Sequence, residues 1–247
     1  MPLATVRRAG LAPYADRMDP LESPDATHAA RRTPVQRRSA DRVELILDTT
    51  AALIDEVGYG SITVSLIAKR SGMTGPSVYR YFDDLTAIAR ALAHRNLARF
   101  VRRVAEVLGD RERSWEESLG TVSDTYAEFF RQEPGFRWMR LGDPIDRFLL
   151  SDADANRTLL ARFMCQMFFD RFDVDWRIDL LEHVEVMVEI ADAVIARAFQ
   201  SDPEGEQFFV DECKRIVVVY LGEYLARPHP IIERPVDWMT QRPSQNA

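Results

Sequence analysis

Apolar residues recur three and four positions apart along most of this chain, and no stretch alternates in the two-residue rhythm of a half-buried strand. Val43, Ile46, Leu47, Thr50, Ala51, Leu53, Ile54 and Val57 share one face and predict a helix over 39–57, ended by Gly58. Thr63 can cap a helix over 64–70, which Gly72 breaks. Thr74 can cap the next, whose first turn holds Gly75, Pro76 and Ser77; proline is tolerated there because first-turn amides lack an intrahelical partner. Leu85, Ile88, Leu92, Leu97, Phe100, Val101, Val104 and Leu108 then stripe a long helix over 84–108. Ser114 with Glu117 three residues on fits a capping box and opens a helix ending near Arg131. A short helix over 136–141 is interrupted at 142–144, and further helices are expected over 154–172, 175–200 and 203–227. The fold class is therefore all-α.

The stretch Ser61 to Phe82 stands out. Leu66, Ile67, Ala68, Met73, Val78 and Phe82 can close a small core between two short helices. That leaves Thr74, Gly75, Ser77, Tyr79, Arg80 and Tyr81 free to point outward. A helix-turn-helix presents the N-terminal end of its second helix to base edges in the major groove.

Charge sharpens that picture. Positive residues outnumber negative 13 to 7 within 31–103 but trail them 16 to 28 within 104–247, so the net −7 hides a basic N-terminal third on an acidic body. This suits a nucleic-acid-binding module joined to a body that leaves DNA alone. Residues 1–32, rich in proline and ending in arginine, read as a disordered arm that either tracks phosphates or keeps the chain in solution; 228–247 read as a tail. With 46% hydrophobic residues there is enough apolar material for a sizeable core, and no run is long enough to span a bilayer. No apolar signal region opens the chain, and Cys165 and Cys213 sit apart in helical patterns, as buried thiols of a cytoplasmic protein would.

Catalytic patterns are missing: there is no Gly-rich phosphate loop, no GxSxG and no HExxH, and the four histidines are scattered. No enzyme activity, cofactor or metal is expected. Between 115 and 187, however, aromatic and methionine residues are dense enough to line an adaptable apolar pocket. Tyr126, Phe130, Trp138, Phe163, Met167 and Met187 are its candidate ligand-binding residues, with Arg140, Asp146 and Gln166 as further polar groups that can orient a ligand.

Residues 42–92 resemble the N-terminal domain of the tetracycline-repressor (TetR) family of bacterial transcription regulators. The resemblance rests on Leu45-Ile46-Leu47, Glu56-Val57-Gly58-Tyr59-Gly60, Thr63-Val64, Ile67-Ala68, Ser71-Gly72-Met73-Thr74 and Ser77-Val78-Tyr79-Arg80-Tyr81-Phe82. It implies a helix-turn-helix domain over 33–83 and a ligand-binding and dimerisation domain over 84–227. It also implies double-stranded DNA with a near-palindromic operator, a small apolar or aromatic effector, and a second copy of the chain as partners. Carried over by position, Thr63 contacts a phosphate, Thr74, Gly75, Pro76 and Ser77 approach bases, and Tyr79, Arg80 and Tyr81 meet phosphates or groove edges. Dimerisation in the family usually uses the last two long helices, which points here to Val188, Ile195, Phe209, Ile216, Val217, Tyr220 and Tyr224. One departure is Leu85, preceded by two aspartates, where family members commonly place a phosphate-binding lysine. The alternative is a helical ligand-binding or scaffold protein of this fold that has lost DNA binding.

Overall fold

A computed structural model describes residues 34–107, 113–138, 153–172, 174–177 and 179–228. The arm over 1–32, the residues beyond 228, Arg140, Asp146 and 139–141 of the expected 136–141 helix lie outside them; 136–138 form a turn. Eight α-helices and one short 3-10 turn make up the described residues, with no strand among them: α1 Pro34–Val57, a 3-10 turn Tyr59–Ser61, α2 Val64–Arg70, α3 Gly75–Tyr79, α4 Leu85–Val107, α5 Trp115–Gln132, α6 Ala153–Phe172, α7 Leu180–Ala198 and α8 Gln207–Leu225.

Local chemistry explains most of the boundaries. Ser114 and Glu117 form the reciprocal capping box that opens α5: the Glu117 amide donates to Ser114 Oγ at 3.2 Å and the Ser114 amide to Glu117 Oε2 at 2.9 Å. Asp84 Oδ1 accepts the Ala87 amide at 2.7 Å and starts α4. The last two helices begin later than their apolar pattern suggests. Residues 174–177 run without helix because Arg177 reaches across to the other end of the hairpin, donating to the carbonyls of Tyr224 (2.7 Å) and Leu225 (2.5 Å). Before α8 the chain turns at Gly205, whose φ of +83° belongs to glycine, with the Phe199 ring 2.6 Å from where a Cβ would stand.

Two cores result. The smaller joins α1, α2 and α3 through Ile46, Leu53, Ile54, Ile67, Ala68 and Val78, and it extends into α4 at Ile88 and Leu92. The head therefore continues past residue 83. The larger core fills the body from Leu97 to Tyr224 and is rich in rings around Phe100 and Phe136. In it α7 packs lengthwise on α8, α6 on α7, and α5 against α8. α4 is the shared element, 23 residues and about 35 Å long at ~1.5 Å per residue.

Candidate nucleic-acid interface and effector cavity

In the head, both caps expected of the helix-turn-helix are made. The Leu66 amide donates to Thr63 Oγ1 at 3.1 Å, and the Ser77 amide donates to Thr74 Oγ1 at 3.3 Å. Thr74 and Ser77 hydroxyls also pair at 2.8 Å, which fixes the first turn of α3. Nothing lies within 4 Å of where a Cβ on Gly75 would be, so its backbone can come close to a ligand surface. Thr63, Thr74, Pro76, Tyr79 and Arg80 are exposed and Ser77 is partly so, while Val78 is fully buried beneath them. Tyr81 is half-buried against the head core. Leu85 also packs onto that core. Its place at the start of α4 is a packing position, and Asp84 before it is spent on the cap. Arg70 forms a two-pronged pair with Glu56 at 2.8 Å, whose carboxyl is held below its usual range by that hydrogen bond.

A seam joins head to body, and little of it is visible in periodicity. The turn after α5 lies on α1: the Gly135 amide donates to Asp55 Oδ2 at 2.9 Å, and Trp138 stacks on Tyr59 with ring centroids 4.3 Å apart. Arg95 on α4 bonds Glu44 (2.9 Å) and Asp48 (2.7 Å) on α1, and Arg99 bridges Glu44 and Glu133. Burial, and then the charge of Asp84, push the Tyr59 phenol up from its ordinary pKa. Trp138 is thus a seam residue: its indole stacks on the head, and it does not line the internal cavity of the body.

In the body a cavity of about 40 Å³ lies among Phe100, Leu119, Val122, Ser123, Tyr126, Leu160, Met164, Met187, Val188, Ala191 and Val217. Of the residues expected to line it, Tyr126 and Met187 do; Phe130, Phe163 and Met167 are buried in the surrounding core. Gln166 is occupied with Asp170 at 2.6 Å. The Tyr126 hydroxyl donates to the buried Asp192 carboxylate at 2.6 Å, giving one polar corner in apolar surroundings. This volume matches roughly one water, against the ~300–1,000 Å³ of ligand sites. A drug-sized effector has to push Met164 and Met187 aside, which their unbranched chains allow. The thiols are chemically quiet: burial drives Cys165 up strongly and Cys213 up to about 11, so neither is a thiolate near neutral pH. Among the described residues no group of His, Cys, Asp or Glu could hold a metal ion, and no helix is long and apolar enough to cross a membrane.

Residues 46–92 match the family model for bacterial regulatory proteins of the tetR family, and residues 113–225 match the tetracyclin repressor-like C-terminal domain. A TetR-family transcriptional regulator from Streptomyces coelicolor is 32% identical, with a TM-score of 0.60, over 74% of this chain and 98% of that one. The chain belongs to the TetR family. The fatty acid degradation regulator FadR from Bacillus halodurans, 15% identical over 76% of this chain and 96% of that one, has the same fold at a TM-score of 0.57. Among curated relatives, the HTH-type transcriptional regulator YobS of Bacillus subtilis is 25% identical over 93 residues, 38% of this chain and 48% of its own length. A Mycobacterium tuberculosis HTH-type regulator is 33% identical over 97 residues, 39% of this chain and 45% of its own length. The chain thus spans under half the length of the curated relatives it matches.

For the dimer face that the TetR family implies, the structure divides the expected residues. Val188, Ile195, Val217 and Tyr224 are buried inside the protomer, where α7 and α8 pack on each other and on α5 and α6. They serve the protomer's own core. Phe209, Ile216 and Tyr220 are half-buried, and the exposed apolar residues of the hairpin are Val186, Phe208 and Val219, which sequence reasoning did not single out. Tyr220 is tethered through its hydroxyl to His183 Nδ1 at 2.7 Å.

Proposed function

We propose that the protein is a ligand-responsive transcriptional repressor that binds a near-palindromic operator as a homodimer in the cytoplasm. The observation that carries this is α3: capped at Thr74, backed by buried Val78, and presenting Thr74, Pro76, Tyr79 and Arg80 outward from a rigid head. Two such heads reach successive major-groove faces about 34–36 Å apart, or a multiple of that. The exposed apolar residues Val186, Phe208 and Val219 with Ile216 and Tyr220 supply the pairing face. A small apolar molecule that opens the cavity beside Phe100 would favour one conformer of α4 over another, and only its difference in affinity for the two can drive release.

Arg80→Ala is expected to weaken operator binding and to lower the salt slope by about one counterion. Fluorescence anisotropy on upstream intergenic DNA across a salt series measures it, and an unchanged slope removes Arg80 from the phosphates. Val219→Glu is expected to shift the dimer toward monomer by light scattering while leaving the helical content intact; an undisturbed dimer would move the interface elsewhere.

A further inference from the structure

We propose a second ligand site, outside the internal cavity, in the arginine-lined groove along the seam between head and body. It takes a carboxylate carried on a flat apolar body. Two adjoining hollows make up the groove, of about 410 and 380 Å³, sharing Phe130 and Arg137. Both hollows are half-open to solvent and roomier than the internal cavity beside Phe100.

The chemistry comes from Arg131 and Arg137. Their guanidinium carbons lie 5.5 and 5.3 Å from the centroid of the same ring, Phe199. Arg131 Nε donates to the Glu204 carbonyl at 2.6 Å; Arg137 donates through Nη2 to the Pro203 carbonyl at 2.5 Å and through Nε to the Phe130 carbonyl. These acceptors hold the two side chains in place but do not neutralise them. Neither arginine has a carboxylate partner among the described residues. Of the acids near the groove, Glu133 is paired with Arg99 at 3.2 Å and Glu206 with Arg197 at 2.9 Å, while Asp55 accepts the Gly135 amide. Two ordered positive charges thus lie over one aromatic ring, and among the described residues the outer guanidinium N–H groups of Arg131 and Nη1 of Arg137 have no carboxylate acceptor. That is a fork for a carboxylate. Beside these charges the mixed polar lining includes the rings of Phe199 and Trp138, which favour a flat body. Because Ile54 and Asp55 belong to the head and the rest to the body, an occupant touches both.

The test uses full-length protein without DNA, so it is independent of the operator reading. Isothermal titration compares 1-naphthoate with neutral 1-naphthamide. The acid is expected to bind at least about tenfold tighter, and Arg131→Gln to cost it about tenfold, the scale of one charge-assisted contact. Gln200→Glu, an exposed isosteric change on the groove lining, is expected to weaken the acid by several-fold and guards against an Arg131 variant that misfolds. Ala191→Leu fills the internal cavity and is expected to leave naphthoate affinity unchanged. Equal affinity for acid and amide overturns the proposal. So does indifference to both charge changes, or loss of binding in Ala191→Leu, which would return the ligand to the internal cavity.

Discussion

Phe100→Ala is expected to cost about 3–5 kcal/mol of folding free energy, the range for deleting a buried ring. Phe100 is 2% exposed and is the ring on α4 around which the body's aromatics gather. Its centroid lies 5.2 Å from Tyr126, 5.3 Å from Phe129 and 6.2 Å from Phe136. Those rings belong to α5 and the turn after it, and their contacts with one another (Tyr126 with Phe130, Phe136 with Phe129 and Phe130) brace them against collapse into the gap. The cavity already beside Phe100 would also grow. A urea titration followed by circular dichroism measures the loss, and a value under about 2 kcal/mol would mean that the cluster closes over the deletion.

Gly135→Val is the second large effect. At φ +72° an L side chain is strained, more so when β-branched, and such a backbone costs about 1–3 kcal/mol by itself. A Cβ there would also stand 3.2 Å from the Cα of Ala51, a backbone atom in the middle of α1 that cannot rotate away. The relief available is for the turn to lift off α1, which breaks the Gly135–Asp55 hydrogen bond and the Trp138–Tyr59 stack. Stability is expected to fall by about 2–4 kcal/mol, with Trp138 emission shifting to the red as the indole gains water. Unchanged emission together with a stability loss would place the strain inside the turn and leave the seam closed.

How far the chain could be read from its residues depends on the range of the interactions involved. The head was legible because its determinants are local. Thr63 and Thr74 are capping residues within three positions of the amides they satisfy, and Gly72 follows α2 with a positive φ as a helix exit requires. The apolar stripe of α4 likewise marked the helix, but not that Ile88 and Leu92 serve the head's core and Phe100 the body's, because helical register runs unbroken across the change. The hairpin of α7 and α8 was not legible in the same way. Ile216, Val217, Val218 and Val219 are all apolar, so spacing cannot tell that Val217 points to the protomer's core and Val219 to the outside. The place of Trp138 in the seam was hidden for a different reason. Its neighbour is Tyr59, and nothing in the local pattern around either ring announces a stack across two domains.

The sharing of α4 has a consequence for how the molecule comes apart. Ile88 and Leu92 close the head's core and Leu97 to Val104 close the body's, on one uninterrupted helix. Helix formation is cooperative along its length, so the first turns of α4 draw order from the body as well as from the head. Melting the body strips the head of its lid, and melting the head leaves Ile88 and Leu92 bare on a helix that the body still holds. Each unit thus loses part of its own support when the other melts, and a chain cut at residue 83 would be a head without the roof of its own core.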